Sequence, residues 1–142
     1  MSNIAAILFA ILAGGSTALE AFINGELGKN TTALIATFIS LLVGALFFLL
    51  SILISGDFKN LMSVGPINPK LLLGGIFGGC IIYCTVRAIP GLGVSNTLTL
   101  IVVSQILLGF FIDSAILHTQ VMHLYKYIGA ILLVIGTFFI IN

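Results

Sequence analysis

Residues 31–55 read TTALIATFISLLVGALFFLLSILIS, and this stretch decides the fold class. It contains no charged side chain from its first residue to its last. A helix needs about 20 consecutive apolar residues to cross the ~30 Å hydrocarbon core of a bilayer, and this stretch exceeds that length. It therefore predicts a membrane-spanning helix.

The rest of the chain has the same character. Of its 142 residues, 60% are hydrophobic and 6% are charged, whereas a soluble domain carries about 25% charged residues. We predict an all-α membrane protein whose single membrane domain, residues 1–142, contains five transmembrane helices. The helices are expected at about 3–23, 31–55, 70–87, 93–112 and 123–141. The segments between them are too short for a soluble catalytic domain, and a net charge of +1 gives no reason to expect a nucleic acid partner.

Turn-forming residues separate the predicted helices. The Asn-Gly pair at 24–25 opens the first connection, and Gly56 stands where a C-terminal cap of the second helix is expected. Pro90 is expected to end the third helix because proline lacks a backbone donor.

The basic residues are almost evenly divided between the two sides of the membrane. With five spans, Lys59, Lys70 and Lys126 lie on the side of the N-terminus, and Lys29 and Arg87 lie on the other. Orientation normally follows an excess of Lys and Arg. The near balance predicts dual insertion, with two copies meeting as an antiparallel homodimer. In the alternative, the small excess fixes one orientation, and the partner is a homologous chain of opposite orientation.

The third predicted helix begins with closely spaced glycines. In LLLGGIFGGC, residues 71–80, Gly74 pairs with Gly78 and Gly75 pairs with Gly79 at a spacing of four. In lipid, helices associate through close backbone approach, which glycine permits. The motif predicts helix packing at these four residues.

The first predicted helix carries a polar stripe. Ser16, Thr17 and Asn24 lie within one turn of Glu20, so that all four share one face. A carboxylate that faced lipid would cost roughly 2.5–3.5 kcal/mol on the insertion scale. Such residues face a bundle interior or a wet cavity and tend to mark transport paths. The stripe therefore predicts a proton-binding or substrate-binding role for these residues.

Two other interpretations of Glu20 remain open. The first helix could end near Leu19, which would leave Glu20 solvated at the interface. Alternatively, Glu20 could form a permanent ion pair with Arg87, because the first and third helices end at the same membrane side.

Two further polar residues belong to the predicted site. Gln105 lies near the middle of the fourth helix. It either lines a cavity or forms a hydrogen bond between helices, which contributes on average about 0.6 kcal/mol. Tyr83 either contacts a cationic substrate through its ring or anchors the third helix at the interface.

The sequence contains none of the common cofactor or catalytic motifs. GxGxxG, Walker A, HExxH and GxSxG are all absent. His118 and His123 are five residues apart, which is not the helical spacing of zinc ligands. We expect no enzyme activity, no cofactor and no metal.

Two long stretches carry a resemblance to a known family. Residues 22–46, FINGELGKNTTALIATFISLLVGAL, and residues 90–113, PGLGVSNTLTLIVVSQILLGFFID, resemble the two signatures of the YdcZ family. The resemblance covers essentially the whole chain. It implies a multi-pass protein of the bacterial inner membrane within the drug/metabolite transporter superfamily, built from half-size units that pair antiparallel.

The glutamate adds a second resemblance. The YdcZ family often has Gln at the position of Glu20, whereas the first-helix Glu of the similar small multidrug resistance proteins binds protons and cations competitively. Together the resemblances imply a small secondary transporter subunit that exports a small, cationic metabolite or drug in exchange for protons. The alternative is a non-transporting assembly or regulatory subunit that pairs with another membrane protein, in which the polar faces only join helices.

Overall fold

The computed structural model of the chain describes residues 3–113 and 124–141, and its regular structure in these two ranges is entirely helical. The helices are α1 (Asn3–Asn30), α2 (Ala33–Ser55), α3 (Phe58–Met62), α4 (Leu73–Phe111) and α5 (Leu124–Ile141), and a 3-10 turn at Pro69–Leu72 precedes α4. The predicted all-α class is confirmed. Residue 123, where the fifth predicted helix begins, lies outside the described residues.

Four helical segments among the described residues are long and apolar enough to cross a membrane: Ile4–Asn30, Ala33–Ser55, Pro69–Phe111 and Leu124–Ile141. The third of them has 43 residues, or about 65 Å at 1.5 Å per residue. That is twice the ~30 Å that one crossing requires. Two of the five predicted spans lie within this segment, and the count of five crossings stays a prediction.

The backbone of α4 is interrupted at one glycine. Gly93 has φ 77° and ψ 168°, a conformation that is essentially restricted to glycine. The helix passes through Pro90, so the expectation that this proline ends the third helix was wrong. Proline has a helical φ and costs its helix one hydrogen bond, whereas the φ of Gly93 cannot continue a helix. The interruption therefore falls three residues after the proline.

α2 agrees with the prediction to within two residues, and both of its caps are visible. Thr32 has an extended backbone, and its Oγ1 accepts a hydrogen bond from the backbone N–H of Ile35 at 3.2 Å. At the other end, Gly56 has φ 79° and its N–H donates to the carbonyl of Ile52. The predicted C-terminal glycine cap is thus confirmed.

α1 is longer than predicted, because it continues beyond residue 23 to Asn30. Two side chains satisfy carbonyls of its last turn: Asn30 Nδ2 donates to Glu26 O at 3.1 Å, and Thr31 Oγ1 donates to Leu27 O at 2.7 Å. The Asn-Gly pair at 24–25 therefore lies within the helix. The interpretation in which this helix ends near Leu19 was wrong.

The chain divides into two compact units, Met1–Gly91 and Leu92–Asn142. The single membrane domain stays a prediction. In the first unit, small and β-branched residues from α1, α2 and α4 form a thin core, which consists of Ala21, Asn24, Gly25, Ala36, Thr37, Thr85, Val86 and Ile89. Large apolar side chains on the same helices are exposed, among them Leu12 at 65% and Phe47 at 62%. An apolar surface of this extent is suited to contact with lipid.

Candidate functional site

The core of the first unit is held together by a close approach of α1 to α4. A Cβ added at Gly28 would overlap Cγ1 of Val86, and a Cβ added at Gly25 would lie 3.0 Å from Cδ1 of Ile89. The two glycines are three residues apart and therefore lie on neighbouring positions of one helix face. This contact fixes the last turns of α1 against α4.

A buried hydrogen bond joins α1 to α2 beside this contact. The Nδ2 group of Asn24 donates to Oγ of Ser40 at 3.1 Å, and Asn24 is only 5% exposed. Among the described residues, no group donates to the amide oxygen of Asn24. The sequence predicted a site role for Asn24 and did not identify Ser40 as its partner.

The buried residues of α1 and α2 are confined to the part of each helix near this hydrogen bond. Ala21 on α1 and Ala36 on α2 are buried, whereas Thr17 on α1 and Leu41 on α2 are exposed. The two helices thus bury residues near the connection that joins them, and the residues named farther along each helix are exposed. Glu20, which is exposed, lies on α1 at the edge of this buried region.

Glu20 lies well inside α1. It precedes Glu26 by six residues, or about 9 Å along the helix axis. Glu26 forms an exposed ion pair with Lys29 in the last turn of α1. The described residues form no other ion pair. In particular, none joins Glu20 to Arg87. The carboxylate of Glu20 therefore has no cationic partner within the described residues.

The other stripe residues of α1 differ in what they offer a ligand. Thr17 Oγ1 donates to the carbonyl of Ala13 at 2.9 Å, so its hydroxyl hydrogen is engaged by its own helix. Ser16 is exposed on the same stripe. On α4, Tyr83 is 36% exposed, and no described hydrogen bond connects its hydroxyl to Glu20 or Asn24.

Gln105 belongs to the second unit, where its side chain is exposed on α4. The same unit buries two hydroxyl residues: Thr97 is 2% exposed and Thr137 is 8% exposed. Each donates its hydroxyl to a carbonyl of its own helix at 2.7 Å, that of Gly93 and that of Leu133 respectively. Gln105 is therefore an accessible amide in the described part of this unit.

The four glycines of α4 that were predicted to pack against another helix have different surroundings. A Cβ added at Gly79 would lie 3.4 Å from Cδ1 of Leu41 on α2, whereas a Cβ at Gly74, Gly75 or Gly78 would meet no atom within 4 Å. Packing of these three glycines against a further helix stays a prediction.

The sequence did contain a signal that α1 continues as a helix past the Asn-Gly pair. Glu26 and Lys29 are oppositely charged and three residues apart, a spacing that is typical of a helix. Each follows directly after one of the two glycines, Gly25 and Gly28. The Asn-Gly pair was interpreted as a turn because its propensity is strong. Packing against Val86 overrides that propensity.

Within the described ranges, no three His, Cys, Asp or Glu side chains gather into a group that could hold a metal ion. Cys80 and Cys84 are free thiols and both are exposed. His118 and His123 lie outside the described residues.

The four membrane-capable helical segments in the described part of the chain define a multi-pass α-helical membrane protein. A family model described as "Putative inner membrane exporter, YdcZ" matches residues 5–139. The chain belongs to the YdcZ family, and it is a multi-pass protein of the inner membrane. No curated protein and no solved structure matches the chain.

Proposed function

We propose that this chain is one half of a proton-coupled exporter of small cationic molecules and that Glu20 carries the exchanged proton. The observation that carries the proposal is the position of Glu20 on α1, exposed, one helical turn before the buried Asn24 and without a cationic partner among the described residues. An ionised carboxylate within a membrane-spanning helix costs free energy, and residues of this kind usually mark a path for protons or substrates.

A single site that holds either a proton or a cation is sufficient for exchange. The ionised carboxylate of Glu20 attracts an organic cation, and a proton on the same carboxylate removes that attraction. The free amide oxygen of Asn24 can accept a hydrogen bond from the bound molecule. Ser16, Thr17 and Tyr83 are proposed to complete the lining of the site.

Alternating access follows if two copies insert with opposite orientation. An inverted pair has two equivalent states by symmetry, one open to each side of the membrane. The exposed polar stripe of Ser16, Thr17 and Glu20 on α1 supports this arrangement, since each copy offers the same stripe to its partner. Five crossings, with α4 divided at Gly93, would place the two ends of the chain on opposite sides.

The experiment uses purified protein and tetraphenylphosphonium as the cationic probe. Equilibrium binding is measured between pH 5 and pH 9 for the wild type, for Glu20→Gln and for the matched control Glu26→Gln, which removes an exposed carboxylate at the end of the same helix. We expect the wild type and Glu26→Gln to lose affinity as the pH falls. Glu20→Gln should bind weakly at every pH.

Two outcomes contradict the proposal. Binding by Glu20→Gln with the pH dependence of the wild type would remove Glu20 from the exchange. Absence of probe binding by the wild type at every pH would exclude lipophilic cations as the substrate class. Proton release on mixing with the probe, followed by a pH dye in lightly buffered solution, provides the independent measurement.

A further inference from the structure

The second unit contains a groove that plays no part in the proposed exchange. It lies between α5 and the part of α4 that follows Gly93, and its volume is about 920 Å³. Its walls are formed mainly by apolar residues, among them Leu98, Val102, Ile106, Leu133 and Ile140. Gly129 and Gly136 form part of its floor, and a Cβ added at either would meet no atom within 4 Å.

The polar groups in the walls of this groove are largely engaged by their own helices. Thr99 Oγ1 donates to Ser95 O at 2.9 Å, and Thr137 Oγ1 donates to Leu133 O at 2.7 Å. The hydroxyl hydrogens of these two threonines are therefore not available to a ligand in the groove. The walls are therefore suited to a hydrocarbon chain and poorly suited to a polar solute.

One charge lines the groove. Lys126 is half-buried in its lining, and it forms no ion pair with a described carboxylate. An ammonium group beside apolar walls is partly desolvated, and a bound anion stabilises it by pairing with its charge. Lys126 is flanked by Tyr125, 84% exposed, and Tyr127, 51% exposed, and exposed tyrosines are typical of the membrane–water interface.

We propose that this groove binds an anionic phospholipid, with its phosphate on Lys126 and one acyl chain along the groove. On α5 the lining extends from Lys126 to Ile140, a length of about 21 Å at 1.5 Å per residue. One leaflet of the hydrocarbon core is about 15 Å thick. The groove thus accommodates an acyl chain that starts at a headgroup beside Lys126. Basic pockets between membrane helices are recognised sites for anionic headgroups. The site does not depend on the proposed proton exchange.

The absence of tryptophan from this chain permits a direct test. Leu132→Trp places a single fluorophore in the lining of the groove, and Phe139→Trp places one on α5 outside the lining. Each protein is reconstituted with brominated phosphatidylglycerol or brominated phosphatidylcholine of the same acyl chains, and quenching gives the relative binding constant. At Leu132→Trp we expect about a fivefold preference for phosphatidylglycerol, the factor for one lysine near a membrane surface. At Phe139→Trp we expect no preference.

Charge variants decide whether Lys126 is responsible. Added to Leu132→Trp, Lys126→Gln should abolish the preference, and the matched control Lys70→Gln should retain it. Equal quenching by both lipids in the parent protein, or a preference that survives Lys126→Gln, would overturn the proposal. Native mass spectrometry of copurified lipid provides a readout that needs no tryptophan, and it should show less phosphatidylglycerol on Lys126→Gln.

A groove lined by glycines could instead receive a helix from a second copy, and one variant separates the two occupants. Gly136→Leu fills the groove, and circular dichroism establishes that the variant is folded. If lipid occupies the groove, quenching at Leu132→Trp falls and the oligomeric state is unchanged. If a second copy occupies it, Gly136→Leu dissociates the oligomer and leaves quenching unaltered, which would contradict lipid binding.

Discussion

Gly28 of α1 lies so close to Val86 of α4 that a single added Cβ would overlap Cγ1 of the valine. Helices in lipid gain little from hydrophobic burial against one another, so close backbone packing supplies much of their association energy. This contact therefore holds the last turns of α1, which follow Glu20, against α4. The geometry of the proposed site depends on it.

We expect Gly28→Ala to destabilise the protein by about 1–3 kcal/mol, the usual cost of forcing an added group into a packed core. Gly14→Ala is the matched control on the same helix, because a Cβ there meets no atom within 4 Å. Alanine is the better helix former, so this control should lose no stability. Unfolding in mixed micelles of sodium dodecyl sulfate measures both variants. Equal stability of the two would show that α1 and α4 do not pack in this way.

Gly93→Ala should cost about 1–3 kcal/mol, because its φ of 77° with ψ of 168° is strained for any residue with a Cβ. Gly91 is two residues away in the same helix, and a Cβ there meets no atom within 4 Å. Gly91→Ala should therefore be neutral in the same unfolding assay. Should Gly93→Ala prove as stable as Gly91→Ala, α4 would be a continuous helix.

The hydrogen bond from Asn24 to Ser40 should have a measurable but small effect on stability. Interhelical hydrogen bonds in membranes contribute about 0.6 kcal/mol on average and at most about 1.7 kcal/mol. A double-mutant cycle of Asn24→Ala and Ser40→Ala should give a coupling energy in this range. Binding of tetraphenylphosphonium, which has no hydrogen-bond donor, should fall only modestly in Asn24→Ala, because the variant removes the partial negative charge of an amide oxygen that Ser40→Ala leaves in place. A coupling energy of zero would mean that the two side chains do not meet.

The balanced distribution of basic residues predicts that the chain inserts in both orientations. C-terminal fusions to green fluorescent protein and to alkaline phosphatase should both be active, because each reports one side of the membrane. Adding lysines at Ser63 and Val64, which are exposed between α3 and the 3-10 turn, should draw that side into the cytoplasm and raise the phosphatase signal. Val64→Gln is the uncharged control. Activity of one fusion alone would point to a partner chain of opposite orientation.

The parts of the fold that local chemistry determines were predictable. α2 is uncharged, begins at a threonine cap and ends at a glycine in the left-handed conformation, and all three features can be recognised in the sequence. The end of α1 was not predictable in the same way. Asn24 and Gly25 form a strong turn signal, and they remain helical because Gly25 packs against Ile89, more than 60 positions along the chain. A contact between distant segments leaves no local trace.

In the candidate site, too, local features could be predicted and contacts between distant residues could not. The polar stripe on α1 was evident from spacing alone, since residues three and four apart share a helix face. The hydrogen-bond partner of Asn24 was not evident from the sequence. Ser40 is one of several hydroxyl residues on α2, and only the way α1 packs on α2 places it next to Asn24. Likewise, nothing in the sequence distinguishes Gly79, which approaches Leu41, from Gly75, which has open space around it.

Cysteine labelling should distinguish a transport crevice from a set of polar contacts between helices. The experiment starts from a chain in which the exposed Cys80 and Cys84 are replaced by alanine. Thr17→Cys and Leu19→Cys then lie at nearly the same depth of α1, but about 160° apart around the helix, and both positions are exposed. A membrane-impermeant maleimide needs water to react, because the thiolate is its nucleophile.

In a transporter, Thr17→Cys should react and Leu19→Cys should not, because the first faces the crevice and the second faces lipid. Tetraphenylphosphonium should slow the labelling of Thr17→Cys if it occupies the site beside Glu20. A dry crevice would leave both cysteines unlabelled, and the polar stripe would then serve only to join helices, as in an assembly or regulatory subunit. Equal labelling of both would mean that this part of α1 lies in bulk water. A carboxylate at residue 20 would then be fully solvated, and it would not couple proton movement to export.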